Sequence, residues 1–178
     1  ELPAAKITRY VETLGLSEAD SVVLAEELDV ALFFEAALDA HNHPKALANW
    51  TIHEVLRELK EQAITGLAFG GKELAELVAL IDDKTISGKI AKEVFQAMLE
   101  TGVKPGAYIE EKGLKQVTDG SQIEPVIDAI LEKNPGQVAQ YREGKTKLMG
   151  FFVGQVMKET QGKANPGLVN EILKKKLS

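Results

Sequence analysis

No cysteine occurs among the 178 residues. That excludes disulfides, thiolate metal centres and cysteine nucleophiles, and it suits a reducing cytoplasm, the expected location. Aromatic residues are scarce, at 6% with one tryptophan, so an aromatic platform for stacking bases is not the expected mode of nucleic-acid contact. No run approaches the roughly 18 apolar residues that span a membrane, and no membrane partner is expected. The chain opens Glu1-Leu2-Pro3, without an initiator methionine and without the features of a signal or transit peptide, and reads as a piece of a longer protein. Catalytic patterns are missing as well: no Ser–His–Asp order, no carboxylate pair in an apolar setting and no nucleotide fingerprint. Thr85-Ile86-Ser87-Gly88-Lys89 lacks both the Gly-x-x-x-x-Gly-Lys-Ser/Thr spacing and a preceding strand. No catalytic or cofactor-binding residue is assigned.

What the chain does have is helix punctuation. Its hydrophobic fraction of 44% and charged fraction of 27% are those of a globular protein large enough to bury a core. Pro3 opens a first helix that Gly15 closes, and Ser17 with Asp20 forms a capping-box-like start for a second, to about residue 27. Asp29 is the expected cap of a third, with Leu32, Phe33, Ala36 and Ala37 on one face. Pro44 begins a long helix expected to reach about residue 64, striped by Leu47, Trp50, Val55, Leu56 and Leu59. Gly66, Gly70 and Gly71 then break the chain, and residues 64–72 match no motif. Further helices are expected over about 72–81, from a Ser87 cap to Gly102, and over 105–112. Asp82-Asp83-Lys84 reads as a solvated turn rather than a Mg²⁺ site. Residues 113–120 form the linker, with Asp119-Gly120 as its turn signal; Gly70-Gly71 is an alternative boundary. Beyond it, helices are expected from Ser121 or Gln122, from an Asn134 cap with Pro135, over about 145–160, and from Asn165-Pro166. The fold class is all-α: a helical connector subdomain over 1–112, the linker, and a small helical tail over 121–178.

Charge divides along the same line. From Lys112 onward there are 11 Lys and Arg against 7 Asp and Glu, a net of +4, whereas residues 1–111 hold 10 against 20, a net of −10. Phosphate attraction depends on local rather than total charge, so a basic tail on an acidic scaffold suits nucleic acid. Lys145, Lys147, Lys158 and Lys163 bracket the helix at 145–160, and lysine meets phosphate as a point charge without reading sequence. Lys174, Lys175 and Lys176 either complement a helix dipole or contact RNA. Gly150 and Gly154 share a helix face, and each destabilises a helix interior by about 1 kcal/mol relative to Ala. Close helix–helix packing is the expected compensation, with approach of an RNA backbone to a bare helix surface as the alternative. Asn165 is a helix cap first and an RNA contact second. His41 and His43 offer two imidazoles, but His53 lies ten residues further on and no cysteine completes a set; the segment reads as a helix connection, with no metal ligand assigned.

Arg142-Glu143-Gly144-Lys145, then Gly-Phe-Phe-Val-Gly-Gln-Val-Met-Lys at 150–158, Gly-Lys-Ala-Asn-Pro at 162–166 and Val169-Asn170-Glu171-Ile172-Leu173 resemble the tail of the GatB family, which YqeY proteins share. Leu2-Pro3-Ala4-Ala5-Lys6, Tyr10-Val11-Glu12, Ala48-Asn49-Trp50, the run at 81–95 and Glu111-Lys112-Gly113-Leu114-Lys115-Gln116 resemble the helical region of the same family. The resemblance thus covers essentially the whole chain. It implies an ATP-dependent carbon–nitrogen ligase that converts misacylated Glu-tRNA(Gln) or Asp-tRNA(Asn) to Gln-tRNA(Gln) or Asn-tRNA(Asn), using ammonia from glutamine. It further implies GatA and GatC as partner subunits, and ATP and Mg²⁺ in an N-terminal cradle outside these residues. The helical region and YqeY-like tail would hold tRNA(Gln) or tRNA(Asn), with Lys145, Lys147, Lys158, Lys163 and Asn165 as the nucleic-acid-binding candidates. Two other readings stay open: a protein-interaction connector, and a free YqeY-type or synthetase-appended tRNA-binding module.

Overall fold

The computed structural model describes residues 1–60, 62–117 and 119–178, and among them the capping signals of the sequence become twelve α-helices. No strand occurs among the described residues, and a single parallel bridge pairs Val117 with Ala164. The all-α expectation holds. Thr118, in the expected linker, lies outside the described residues. Two compact units form, Glu1–Asp83 with Ala91–Lys112, and Lys84–Ile90 with Gly113–Ser178.

In the first unit, α1 (Pro3–Leu14) starts on Pro3 and ends at Gly15, whose φ of 65° is open to glycine without strain. That left-handed residue lets the Leu16 N–H donate back to the Tyr10 carbonyl at 3.3 Å. At the start of α2 (Glu18–Glu26), the Ser17 hydroxyl accepts the Asp20 N–H at 3.1 Å. One extended residue, Glu27, then separates α2 from α3 (Leu28–Ala40). The helix therefore begins too early for Asp29 to cap it, and Asp29 sits inside the first turn. Val30, Ala31, Phe33, Phe34 and Ala37 make the buried face, and Leu32, expected there, is 52% exposed.

The long helix expected from Pro44 ends early. α4 (Pro44–Trp50) passes through a π-turn, Thr51–Val55, into α5 (Leu56–Leu59), and Lys60 turns the chain at φ 52°. The wider turn inserts a residue into the helical register, so Leu47, Val55 and Leu59 are buried while Leu56 is only half-buried. Residues 64–72 acquire a role in the core. Phe69 is buried, its ring standing edge-on to Phe33 and Phe95 with centroids 6.3 and 6.0 Å away. The Glu73 carboxylate accepts the Gly70 N–H at 2.9 Å at the start of α6 (Gly71–Asp82); Asp82 is the last residue of this helix, and the expected turn begins at Asp83. The Ser87 hydroxyl accepts the Ile90 N–H at the start of α7 (Gly88–Thr101), and α8 (Pro105–Lys112) follows.

The second unit is a small bundle. Asp119 caps α9 (Gly120–Lys133) by accepting the Ser121 N–H at 2.9 Å, so Asp119-Gly120 is a helix start, one residue ahead of expectation. The Val117 N–H donates to the Lys163 carbonyl at 2.6 Å, and the Asn165 N–H donates to the Val117 carbonyl at 3.2 Å. Asn134 precedes α10 (Pro135–Arg142), but its side chain donates to the Ile130 carbonyl at 2.8 Å instead of capping that helix. Between α9, α11 (Leu148–Glu159) and α12 (Pro166–Leu177), the residues Ile123, Ile127, Phe152, Val156, Val169 and Leu173 make a core almost sealed from solvent. Each such side chain stabilises the fold by about 1.5–3 kcal/mol relative to exposure.

Candidate nucleic-acid interface

Packing fixes which side of α11 faces water. Phe152 and Val156 point into the core. At about 100° per residue, Lys147, Gly150, Gly154 and Lys158 fall on the opposite side within roughly 80° of arc. All four are exposed. A Cβ built at Gly150 or Gly154 would meet nothing within 4 Å. The expected close helix–helix approach at these glycines is therefore absent; both lie on open surface. Packing within the tail gives no reason for two glycines here. Alanine at each should stabilise the second unit by about 0.5–1 kcal/mol, read as a higher urea midpoint for the G150A/G154A chain. A loss of stability would reveal a contact that these positions do not show.

The cations sit at both ends of this bare strip. Lys147 directly precedes α11 and Lys158 is in its last turn, about 16 Å apart along the axis. Lys145 reaches the Gln140 side-chain oxygen at 3.2 Å. Among the described residues, Lys147, Lys158 and Lys163 form no ion pair. The first amides of α11 are already committed: Leu148, Met149 and Gly150 donate to the carbonyls of Lys145, Thr146 and Lys147 at 3.1–3.3 Å. Anion attraction at that end thus rests on the lysine head groups, not on free backbone N–H.

Asn165 is a cap, its side-chain oxygen accepting the Leu168 N–H at 3.1 Å, while its side-chain amide N–H, the group that would meet a phosphate, takes no part in the cap. Lys176 is tied to Asp128 at 2.6 Å, and that hydrogen bond raises its pKa, while Lys174 and Lys175 stay exposed. One cation is not apparent from sequence. Lys89 is exposed in the same unit, and its Cδ lies 3.8 Å from where a Gly162 Cβ would stand, beside Lys163. Only the fold brings it there, across more than seventy residues of chain. With residues 84–90 included, the second unit carries 12 Lys and Arg against 7 Asp and Glu, a net of +5, and the first unit 9 against 20, a net of −11.

The GatB domain family matches residues 32–177. The chain is 53% identical over 179 residues to the GatB subunit of the aspartyl/glutamyl-tRNA(Asn/Gln) amidotransferase of Geotalea daltonii, a match covering 99% of the chain and 37% of that protein. It is 49% identical to the same-named protein of Solidesulfovibrio magneticus, covering 99% of the chain and 38% of the relative. For that of Syntrophotalea carbinolica, identity is 50% over 180 residues, with coverage of 100% and 38%. The chain thus spans well under half the length of these relatives. No helix among the described residues is long and apolar enough to cross a membrane.

Proposed function

The chain belongs to the GatB family, corresponding to the C-terminal part of that subunit, and from that premise we propose that its second unit holds tRNA without supplying a catalytic group. The full subunit is then an ATP-dependent amidotransferase acting on Glu-tRNA(Gln) or Asp-tRNA(Asn), assembled with GatA and GatC, with ATP and Mg²⁺ bound outside residues 1–178. The role of these residues is positioning: binding energy far from the acceptor end holds that end where the chemistry occurs.

One observation carries this reading, the exposed face of Lys147, Gly150, Gly154 and Lys158 opposite the Phe152–Val156 core side. A strip without side chains lets a sugar-phosphate backbone lie against the helix, and lysines at both ends neutralise phosphates, with Lys145 and Lys163 as further candidate contacts. The test is titration of tRNA(Gln) and tRNA(Asn) transcripts by fluorescence anisotropy over a range of salt. Contact with about three to five phosphates gives a log–log salt slope of roughly −2 to −4. Charge reversal to Glu at Lys145, Lys147, Lys158 and Lys163 should weaken binding by about 100-fold or more at low salt. Unchanged affinity in that variant, with its helicity intact, would end the proposal. G150A/G154A should weaken tRNA binding while strengthening the fold, a combination that general damage cannot produce.

A second reading rests on the first unit, which is strongly acidic and exposes Val22, Leu28 and Leu32 at 44%, 65% and 52%. These suit docking to a protein subunit rather than to RNA. If the charge-reversed chain keeps its tRNA affinity and fails to assemble with GatA and GatC, the connector reading replaces the tRNA-holding one.

A further inference from the structure

We propose that His41, His43 and Asp82 bind one divalent transition-metal ion of the Zn²⁺ class. Asp82 lies about forty residues from the histidines in sequence, but each of the three occupies a helix end in the first unit. His41 follows α3, His43 precedes α4 with Pro44 fixing the next turn, and Asp82 closes α6. The two histidines are spaced i, i+2 on non-helical backbone, and their rings stand edge-on to each other with centroids 6.1 Å apart. A hydrogen bond from the His43 N–H to the His41 carbonyl, 2.8 Å, tightens that connection.

The donor atoms already converge. His41 Nε2 is 2.7 Å and His43 Nδ1 2.5 Å from the same Asp82 oxygen, Oδ2. All three potential ligand atoms lie within 4.8 Å of one another. Tetrahedral coordination with bonds of about 2.0–2.1 Å needs ligand atoms about 3.3 Å apart, so small side-chain rotations admit the ion. Each imidazole would then carry its proton on the remote ring nitrogen. Two nitrogens and one carboxylate oxygen suit Zn²⁺, Co²⁺ or Ni²⁺ better than Mg²⁺, which prefers an octahedron of oxygens. The side chains of His41, His43 and Asp82 are 28%, 46% and 31% exposed, leaving the ion an entry path and a fourth position for water. Bound metal would clamp the connection between α3 and α4 to the end of α6, just before the chain leaves the first unit at Lys84.

Isothermal titration of the untagged, chelator-stripped 178-residue chain with Zn²⁺ tests this. The expected result is one ion per chain with a dissociation constant in roughly the micromolar range, four-coordinate d–d bands with Co²⁺, and no competition from Mg²⁺. H41A and H43A should each weaken binding by about tenfold or more, and H53A should leave it unchanged. Zn²⁺ should also raise the melting temperature of the parent chain and not that of H41A or H43A. Absence of saturable binding, or binding that H41A and H43A leave intact, would make the trio a hydrogen-bonded latch and nothing more.

Discussion

Replacing Gly71 by alanine is expected to destabilise the first unit by about 3 kcal/mol or more, lowering its melting temperature by roughly 12 °C or more. Gly71 is buried at the first position of α6, where that helix crosses α3. A Cβ there would overlap the Phe33 carbonyl oxygen and stand 2.9 Å from the Ala37 nitrogen. These are backbone atoms of another helix, so no rotamer change relieves the clash. The helices must separate, opening voids around Phe33, Leu74 and Val78, all buried. The same change at Gly150 and Gly154 has the opposite expected sign, because nothing stands in the way and only the helix-propensity gain remains. Calorimetry of G71A beside G150A/G154A checks both. A G71A chain within 1 kcal/mol of the parent would show that the crossing tolerates a methyl group.

That contrast also shows what the sequence can and cannot convey. The glycine pair at 150 and 154 is conspicuous, and spacing places both on one face, but spacing says nothing of which face packs. The core side is set by Phe152 and Val156 meeting α9 and α12. In the sequence Gly71 is part of an unmotivated break at 64–72, because its partner, the Phe33 backbone, is distant along the chain. Local signals are the more legible ones, Asp29 and Asn134 excepted. Pro3, Gly15, Ser17, Ser87 and Asn165 act where elementary capping chemistry puts them, since a cap involves only atoms within a few residues. The π-turn at Thr51–Val55 is invisible to the stripe argument because it violates the regular helical period on which that argument depends. Likewise His41 and His43 fall in one segment and Asp82 in another, and only the packing of α3 against α6 joins them. Lys145, Lys147, Lys158 and Lys163 are legible as a set because they flank one helix; Lys89 is not.

Glu35 anchors α1 on α3, and neutralising it should lower stability in a way that depends on pH. Its Oε1 accepts hydrogen bonds from Lys6 Nζ at 2.7 Å, Arg9 Nη2 at 2.5 Å and the Tyr10 hydroxyl at 3.0 Å, all on α1. Lys6 is only 7% exposed and Tyr10 is fully buried, its ring edge-on to Phe34 at 5.4 Å. Burial alone would raise the Glu35 pKa. The hydrogen bonds from Lys6, Arg9 and Tyr10 outweigh it, and the carboxyl titrates below its ordinary value of 4.5. Burial, then the bond to Glu35, pushes the Tyr10 hydroxyl up, so it remains a donor well into alkaline solution. Glu35→Gln leaves the Lys6 ammonium nearly buried without its closest counter-charge. Since the Glu35 side chain is a quarter exposed, the expected loss is about 2 kcal/mol rather than the 3–5 of a fully buried pair. The sign of the pH dependence follows from the lowered pKa. The folded state holds its proton less tightly than the unfolded state, so the contribution is complete above about pH 4.5 and is lost as pH falls through the folded value. Urea unfolding of parent and E35Q chains from pH 7 down to pH 3 should therefore show a gap that is widest at neutral pH and narrows in acid. A gap that stays constant with pH would assign the loss to packing, and no gap at all would mean that the α1–α3 contact stands without the charge.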